Sequence, residues 1–363
     1  MNASAAVWDG HGFSLADDAL PDLGPGESLV EVELATICGS DLHTVAGDRL
    51  GPTPSVLGHE AVGRVVGTGP GAPVATGARV VWTIGTSCGG CRPCRRGVPQ
   101  KCVHVRKYGH QQRTDGWRLN GTLASYVHLL PGTGVVRVPE ELPAALVAPA
   151  GCATATVTCA ARRVGLGPAD AVVVIGCGML GLTAVAHATD LGASVVACDV
   201  DPARLDLARS LGAVAVAEPA QLPQLAASYG ADVVLEMSGH HSAVTAALDV
   251  VDLAGRVALV GSVSPGPTVA VDPEQLVRRL VTVVGSHNYA PADLVEAVAF
   301  LSGSTRAGAL RGLVSTAYSL EEVDAAFRAA SRGLAPRVAV RPDPRVTSRS
   351  PSAPGATSGA VPR

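Results

Sequence analysis

The chain has 363 residues, of which 47% are hydrophobic and 16% charged, with a net charge of −3. That length suits two domains with sizeable cores, and the near-neutral balance offers no general attraction to nucleic acid or an anionic membrane. No apolar run is long enough to span a bilayer and no secretory leader is read at the start, so a cytoplasmic location is expected.

The first part reads as β-rich. Apolar and polar residues alternate in Leu29-Val-Glu-Val-Glu-Leu34, the pattern of a half-buried strand, and Ala61–Val66 and Arg79–Trp82 look similar. Frequent glycine and proline predict a small barrel with long loops. From about Cys152 the rhythm changes. Ala171–Ile175 is a continuous apolar strand, followed by a glycine turn and a helix to Leu191. Ser194–Cys198 predicts the next strand and Pro202–Leu211 the next helix. Asp232–Leu235 and Arg256–Val260 are further strands, with the helix Ser242–Val251 between them. This alternation predicts a doubly wound parallel sheet with helices on both faces. Around Ser286 it stops. Pro291–Leu301 and Leu320–Ala330 read as amphipathic helices, and Arg337–Val340 as a closing strand that returns to the first domain. From Asp343 the composition is that of a disordered tail.

Cys88, Cys91, Cys94 and Cys102 stand in the order C-x2-C-x2-C-x7-C within a loop rich in glycine, proline and arginine. Four thiolates this close in sequence can converge on one tetrahedral ion, as a structural Zn²⁺ site requires. A pair of disulfides is the competing reading. The odd total of nine cysteines and a reducing compartment weigh against it.

Gly176-Cys-Gly-Met-Leu-Gly181 follows an apolar strand and opens a helix, the context a dinucleotide-binding turn needs. Gly176 permits the turn, Gly178 admits a pyrophosphate, and Gly181 allows close helix–strand packing, with Met179 and Leu180 opening the helix. The next strand ends in Asp199, whose carboxylate suits the two ribose hydroxyls of NAD and would repel the 2′-phosphate of NADP. Arg204 follows within reach of an adenine ribose.

A second set of metal-type residues lies upstream, in Cys38-Gly-Ser-Asp-Leu-His43 and Gly58-His59-Glu60, with Cys152 at the change of rhythm. Two sulfurs and an imidazole make a three-ligand zinc site with one open position, which activates an alcohol or a carbonyl. Zinc carries no electrons, so a nicotinamide must take the hydride. Taken together and in this order, C-G-S-D-x-H, G-H-E, the four-cysteine lobe and G-x-G-x-x-G resemble the zinc-dependent alcohol dehydrogenases of the medium-chain dehydrogenase/reductase superfamily, from about Leu29 to Val340.

The resemblance implies a GroES-like catalytic domain (1–152 and 289–342, with its zinc lobe at 86–104), an NAD-binding Rossmann domain (153–288) and a tail (343–363). It implies two zinc ions per chain, a small alcohol or carbonyl substrate, and a homodimer or homotetramer. Cys38, His59 and Cys152 would bind the catalytic zinc, with Glu60 beside it or as an alternate ligand and Asp41 orienting His59. Ser40 would take the substrate proton and His43 pass it to water. Thr156 would lie against the nicotinamide and Arg337 against the pyrophosphate. Many polyol dehydrogenases use a glutamate as third ligand, but no carboxylate lies near Cys152 in sequence. His104, His110 and His128 are read as ordinary polar residues, and Cys159, Cys177 and Cys198 as core.

The substrate is harder to read. C-G-S-D-x-H and Gly285-Ser-His-Asn288 look like the polyol and threonine dehydrogenase branch, whereas Cys152 looks like simpler alcohol dehydrogenases. Gln100–His110 resembles a bacterial clade of phosphonate-catabolism-associated alcohol dehydrogenases, related to cyclitol enzymes. Ile84 stands where a bulky residue guards the pocket. A polyol, cyclitol, sugar-like or phosphonate- or phosphate-bearing alcohol is expected, with Arg106, Lys107, Arg113 and Arg118 available to an anion. A simple alcohol is the alternative. A metal-free structural homologue would lack Cys38, His59 or Ser40, and a zinc-free quinone reductase would lack the cysteine lobe.

Overall fold

The computed structural model describes residues 2–342, so the expected tail from Asp343 lies outside the described residues. Eight strands come first: β1 (Asn2–Trp8), β2 (Phe13–Ala19), β3 (Ser28–Ile37), β4 (Ser55–Val56), β5 (Glu60–Thr68), β6 (Arg79–Thr86), β7 (Tyr126–Leu129) and β8 (Thr133–Arg137). Six form the parallel sheet: β9 (Ala171–Ile175), β10 (Ser194–Cys198), β11 (Ala215–Ala217), β12 (Val233–Glu236), β13 (Arg256–Leu259) and β14 (Thr282–Gly285). Two close the chain, β15 (Val314–Ser319) and β16 (Arg337–Arg341).

The parallel sheet runs β11-β10-β9-β12-β13-β14. Its inner strands β9 and β10 are apolar over nearly all their length, as helices on both faces demand. Strand order reverses between β9 and β12, and the Gly176–Gly181 turn leaves β9 at that point, where open α/β sheets bind their ligands.

The other large sheet is mixed, in the order β15-β16-β3-β5-β6-β8, with β7 also on β3. β3 and β5 pair antiparallel so that Thr36 faces Glu60. β16 comes back to the other edge of β3, with Val338 opposite Ile37. The return expected for the last strand is therefore real, and it carries Arg337 to the residues that follow β3. The hairpin β1–β2, with β4, forms a third sheet.

Candidate active site

Four segments distant in sequence build the first cluster. Cys38 follows β3 and caps the helix Gly39–Val45. His59 precedes β5 and Glu60 opens it. Cys152 caps the helix Ala153–Val164 after a short turn over Ala148–Gly151. One ligand atom from each of Cys38, His59, Glu60 and Cys152 lies within 4.8 Å of every other, and the Cys38 and Cys152 sulfurs are 4.0 Å apart. Tetrahedral zinc–sulfur bonds of about 2.3 Å put two sulfurs roughly 3.8 Å apart, so the donors fit a zinc ion without rearrangement.

Asp41 positions this cluster through the helix start. Its carboxylate accepts the Cys38 N–H at 2.9 Å and the Gly58 N–H at 3.2 Å, and sits 3.5 Å from His59 Nδ1. That last geometry falls short of a hydrogen bond, and Nδ1 has no other partner. The ring's other nitrogen is left for the cluster. The Cys38 thiol is held well below its ordinary pKa, first by the Cys152 sulfur and then by Arg337 and His59, against the cost of burial. A sulfur held as thiolate is the form that binds metal.

Glu60 is fully buried, and Arg337 takes both its oxygens, Nε to Oε2 at 2.8 Å and NH2 to Oε1 at 2.9 Å. Thr36 adds a hydroxyl donor at 2.6 Å. The same guanidinium lies 3.5 Å from the Cys38 sulfur, and its third nitrogen is bonded to the Pro336 carbonyl. Within the protein, Arg337, expected against the pyrophosphate, is paired with Glu60. Burial opposes its charge, but Glu60 and Cys38 more than restore it. It backs the cluster because β16 lies on β3.

Ser40 and His43 stand three residues apart on the helix Gly39–Val45, so they share a face. Ser40 is half-buried and His43 exposed, with Nδ1 3.1 Å from Asp48. Thr156 is half-buried one turn after Cys152, its N–H on the Cys152 carbonyl at 3.0 Å.

One residue read as ordinary belongs beside this cluster. The His110 ring packs on that of His59, with centroids 4.9 Å apart. Gly58 and Gly109 make this possible: a Cβ on Gly109 would come within 2.4 Å of the Gly58 carbonyl oxygen, so only two abutting glycine backbones bring both histidines in. The single sequence signal was the repeated Gly-His pair. His128 is ordinary, as read, bonded to Glu27 at 2.8 Å. Three of the four cations considered for an anionic substrate are occupied elsewhere. Arg106 lies 4.3 Å over the Trp117 ring, Arg113 is on Asp18 and Arg118 is on Asp115.

The second cluster is the lobe. Cys88, Cys91, Cys94 and Cys102 bring four sulfurs within 4.8 Å of one another, with Cys91 3.4 Å from Cys94 and 3.8 Å from Cys102. Backbone N–H groups of Cys88 and His104 also point at the Cys102 sulfur, at 3.3 and 3.4 Å. Those of Cys94 and Val103 bring the Cys91 thiol down to about 6. Closed, all-sulfur and fed by backbone donors, it fits a structural zinc ion.

At the dinucleotide turn, Gly176 has φ +93°, and a Cβ there would come within 2.7 Å of Ser238. A Cβ on Gly181 would lie 1.7 Å from the Gly176 carbonyl oxygen, which is the close packing expected of the third glycine. Above Gly178 the space is open, and the helix Met179–Asp190 starts there without a side-chain cap. Half-buried Leu180 stands in its first turn. Free N–H groups facing an open cradle fit a pyrophosphate. Asp199 is buried at the end of β10 and accepts the N–H groups of Cys177 at 2.5 Å and Asp201 at 2.9 Å. A carboxylate has about four acceptor sites, so two remain for ribose hydroxyls. Arg204 is exposed, 3.5 Å from Asp201.

Comparison with known proteins places these sites in a class. Residues 24–140 match the family model described as alcohol dehydrogenase GroES-like domain, and residues 180–303 the one described as zinc-binding dehydrogenase. The chain is 36% identical to an L-threonine 3-dehydrogenase of Anaeromyxobacter dehalogenans over 72% of its own length and 74% of the relative's. It is 30% identical to a sorbitol dehydrogenase of Halalkalibacterium halodurans over 92% and 96% of the two chains. An alcohol dehydrogenase structure from Thermotoga maritima superposes with a TM-score of 0.89 at 28% identity, covering 94% of this chain and all of that one. The chain belongs to the zinc-dependent alcohol dehydrogenase family of the medium-chain dehydrogenase/reductase superfamily, and with it to the enzymes that use zinc and a nicotinamide dinucleotide on small alcohol or carbonyl substrates.

Proposed function

We propose that this enzyme moves a hydride between a polar secondary or primary alcohol and NAD, giving a ketone or aldehyde. The observation that carries this reading is the convergence of Cys38, His59 and Cys152 within 4.8 Å, reached from a half-buried serine and bordered by the helix that holds Thr156. Zinc held by those three residues would supply a Lewis acid that makes the alcohol proton easy to remove. Ser40 accepts that proton while giving up its own, which passes by the cofactor ribose to His43, on the exposed end of the same helix face, and on to water. Asp41 keeps His59 aimed, and Glu60 with Arg337 holds the floor of the site rigid. Gly176, Gly178, Leu180 and Gly181 hold the pyrophosphate, Asp199 the adenine ribose with Arg204 near it, and Thr156 the nicotinamide.

Preference for NAD over NADP rests on the Asp199 carboxylate. The division into a catalytic part (1–152 and 289–342) and a cofactor part (153–288) belongs to the same proposal. So does a homodimer or homotetramer, supported by the parallel-sheet edge. There β14 is largely solvent-facing, and Val277 and Leu280 beside it are 73% and 67% exposed. Light scattering gives the assembly directly. The substrate is read as a polyol, cyclitol, sugar-like or phosphonate- or phosphate-bearing alcohol of bacterial catabolism or secondary metabolism. The test is NADH formation by the zinc-loaded enzyme over a panel of these and simple alkanols. Turnover of alkanols alone would overturn the polar reading.

A further inference from the structure

We propose that His110 is a specificity-determining residue that hydrogen-bonds a second oxygen substituent on the carbon next to the one being oxidised. This rests on the alcohol dehydrogenase reading above and names the side chain that enforces its preference for polar alcohols.

The first observation is contact with the candidate metal cluster. The His110 and His59 rings lie with centroids 4.9 Å apart and planes tilted by 37°. His59 presents a ligand atom within 4.8 Å of those of Cys38, Glu60 and Cys152, so His110 borders the group that would hold the reacting carbinol. A C–C bond, a C–O bond and a hydrogen bond of about 2.8 Å together bridge a separation of that order.

The second observation is unused hydrogen-bonding capacity. A neutral imidazole offers one donor and one acceptor. The rings of His43, His128, His240 and His287 each have a side-chain partner. Among the described residues the half-buried His110 ring has none. Nor are its nitrogens sealed from entry, as Nδ1 of His59 and of His187 are. They open to a space that a ligand can reach.

That space is a hollow of about 130 Å³, which His110 lines with Thr44, Arg49, Ser55, Leu50 and Leu57. A cavity of roughly 150 Å³ takes a benzene ring, so the hollow has room for the short end of a substrate. Thr44 stands one turn after Ser40, and its hydroxyl donates to the Ser40 carbonyl at 3.0 Å. The hollow thus begins beside the serine assigned to the substrate proton. Of its polar side chains, Thr44 is committed to that carbonyl and Arg49 is exposed to water, while His110 lies on the cluster.

The ring is also fixed in advance. The Tyr108 N–H bonds the Ile84 carbonyl at 2.9 Å, the Gly109 N–H the Asn120 carbonyl at 2.8 Å and the Arg113 N–H the Pro54 carbonyl at 2.8 Å. The buried Asn120 amide donates to the Gln112 carbonyl at 3.0 Å. A group held this way gives up little freedom on binding. A site built to pair with a substrate oxygen also rejects the analogue that lacks it, because its own polar group is then left unpaired.

The test compares the stereoisomers of 2,3-butanediol with 2-butanol, which differ by one hydroxyl, in steady-state assays of the zinc-loaded enzyme with NAD. Wild type should prefer a diol by at least ten-fold in kcat/KM. His110→Phe keeps a ring against His59 and should abolish the preference, chiefly through the KM of the diol. His110→Gln keeps a donor and an acceptor and should restore most of it. A ring that only supports His59 would lower both substrates alike and leave the ratio intact. Binding supplies a second readout: quenching of NADH fluorescence in the zinc-loaded complex should show 3-hydroxy-2-butanone binding at least ten-fold more tightly than 2-butanone, and equally in His110→Phe. Equal use of diol and alkanol by wild type would overturn the proposal, and so would a preference for 3-hydroxybutyrate over the diol that ignores His110. A diol preference that survives in His110→Phe would overturn it while leaving the polar-alcohol reading in place. Should no alcohol be oxidised while binding of the hydroxyketone still depends on His110, the dehydrogenase reading fails and recognition by His110 stands.

Discussion

The two sulfur-bearing clusters differ in almost every physical respect. The lobe draws four sulfurs from fifteen consecutive residues, Cys88 to Cys102, and three of the four are half-buried or exposed. The other cluster draws two sulfurs, an imidazole and a carboxylate from segments up to 114 residues apart, and Cys38, His59 and Glu60 are buried. Backbone N–H groups shape the first, while ionised side chains, Asp41 and Arg337 above all, shape the second. A local, closed sulfur shell can be built by one loop and serves stability. A mixed, open shell needs the whole fold to assemble it and is held by charges that cannot be removed singly.

The sharpest break between them should come from ligand exchange. Cys38→Ser, His59→Ala and Cys152→Ser should each reduce bound zinc from two ions per chain to one and end measurable turnover. The loss should exceed the about 10–100-fold expected from residues outside the ligand shell. Cys94→Ser should also remove one ion, lower the thermal midpoint and leave turnover measurable at low temperature. Metal analysis alongside NADH formation checks both. Retention of two ions and activity by Cys152→Ser would remove that residue from the site.

Next comes the floor of the open shell. Arg337→Met leaves the fully buried Glu60 without its counter-charge, which should cost about 3–5 kcal/mol of stability. The exposed pair Arg118–Asp115 is the contrast: Arg118→Ala should leave stability almost unchanged. Urea unfolding of the zinc-loaded protein measures both. Similar values would mean that the burial of the Glu60 pair carries no weight. Smaller again is Asp41→Asn. It should weaken the catalytic zinc by about 10–100-fold while the lobe ion stays, because Asp41 aims His59 and holds the Cys38 and Gly58 N–H groups. A competition titration with a zinc chelator separates the two ions. Equal weakening of both would show that the substitution acts on the fold and not on the shell.

What could be read from the sequence follows the same division. Ala171–Ile175 and Ser194–Cys198 were legible to the residue because buried parallel strands are uniformly apolar. The cysteine lobe was legible because its ligands are neighbours. β1, with Ala3, Ala5 and Ala6 inside, and β2, with Asp17 and Asp18 in it, passed unnoticed, since alanine and aspartate carry little strand preference. His110 was missed because its role depends on Gly109 meeting Gly58 across 51 residues of chain. The Arg337–Glu60 pair was not legible because nothing in Pro336-Arg-Val-Ala-Val340 says that β16 lies on β3.

Asp199 gives the smallest effect and tests whether a carboxylate can define a site while also serving as scaffold. Its oxygens already hold the Cys177 and Asp201 N–H groups, so Asp199→Gly removes a charge and two loop bonds together. Asp199→Asn keeps the shape and one acceptor and removes only the charge. If repulsion of a 2′-phosphate sets cofactor choice, both substitutions should lower the NAD-to-NADP ratio of kcat/KM by about ten-fold, or about 1.4 kcal/mol. Only the glycine variant should also raise the KM for NAD, through a loosened Gly176–Gly181 turn. A ratio unmoved in the asparagine variant but collapsed in the glycine variant would assign the choice to the shape of the turn. Asp199 would then resemble Glu60, a buried carboxylate that acts through what it holds in place.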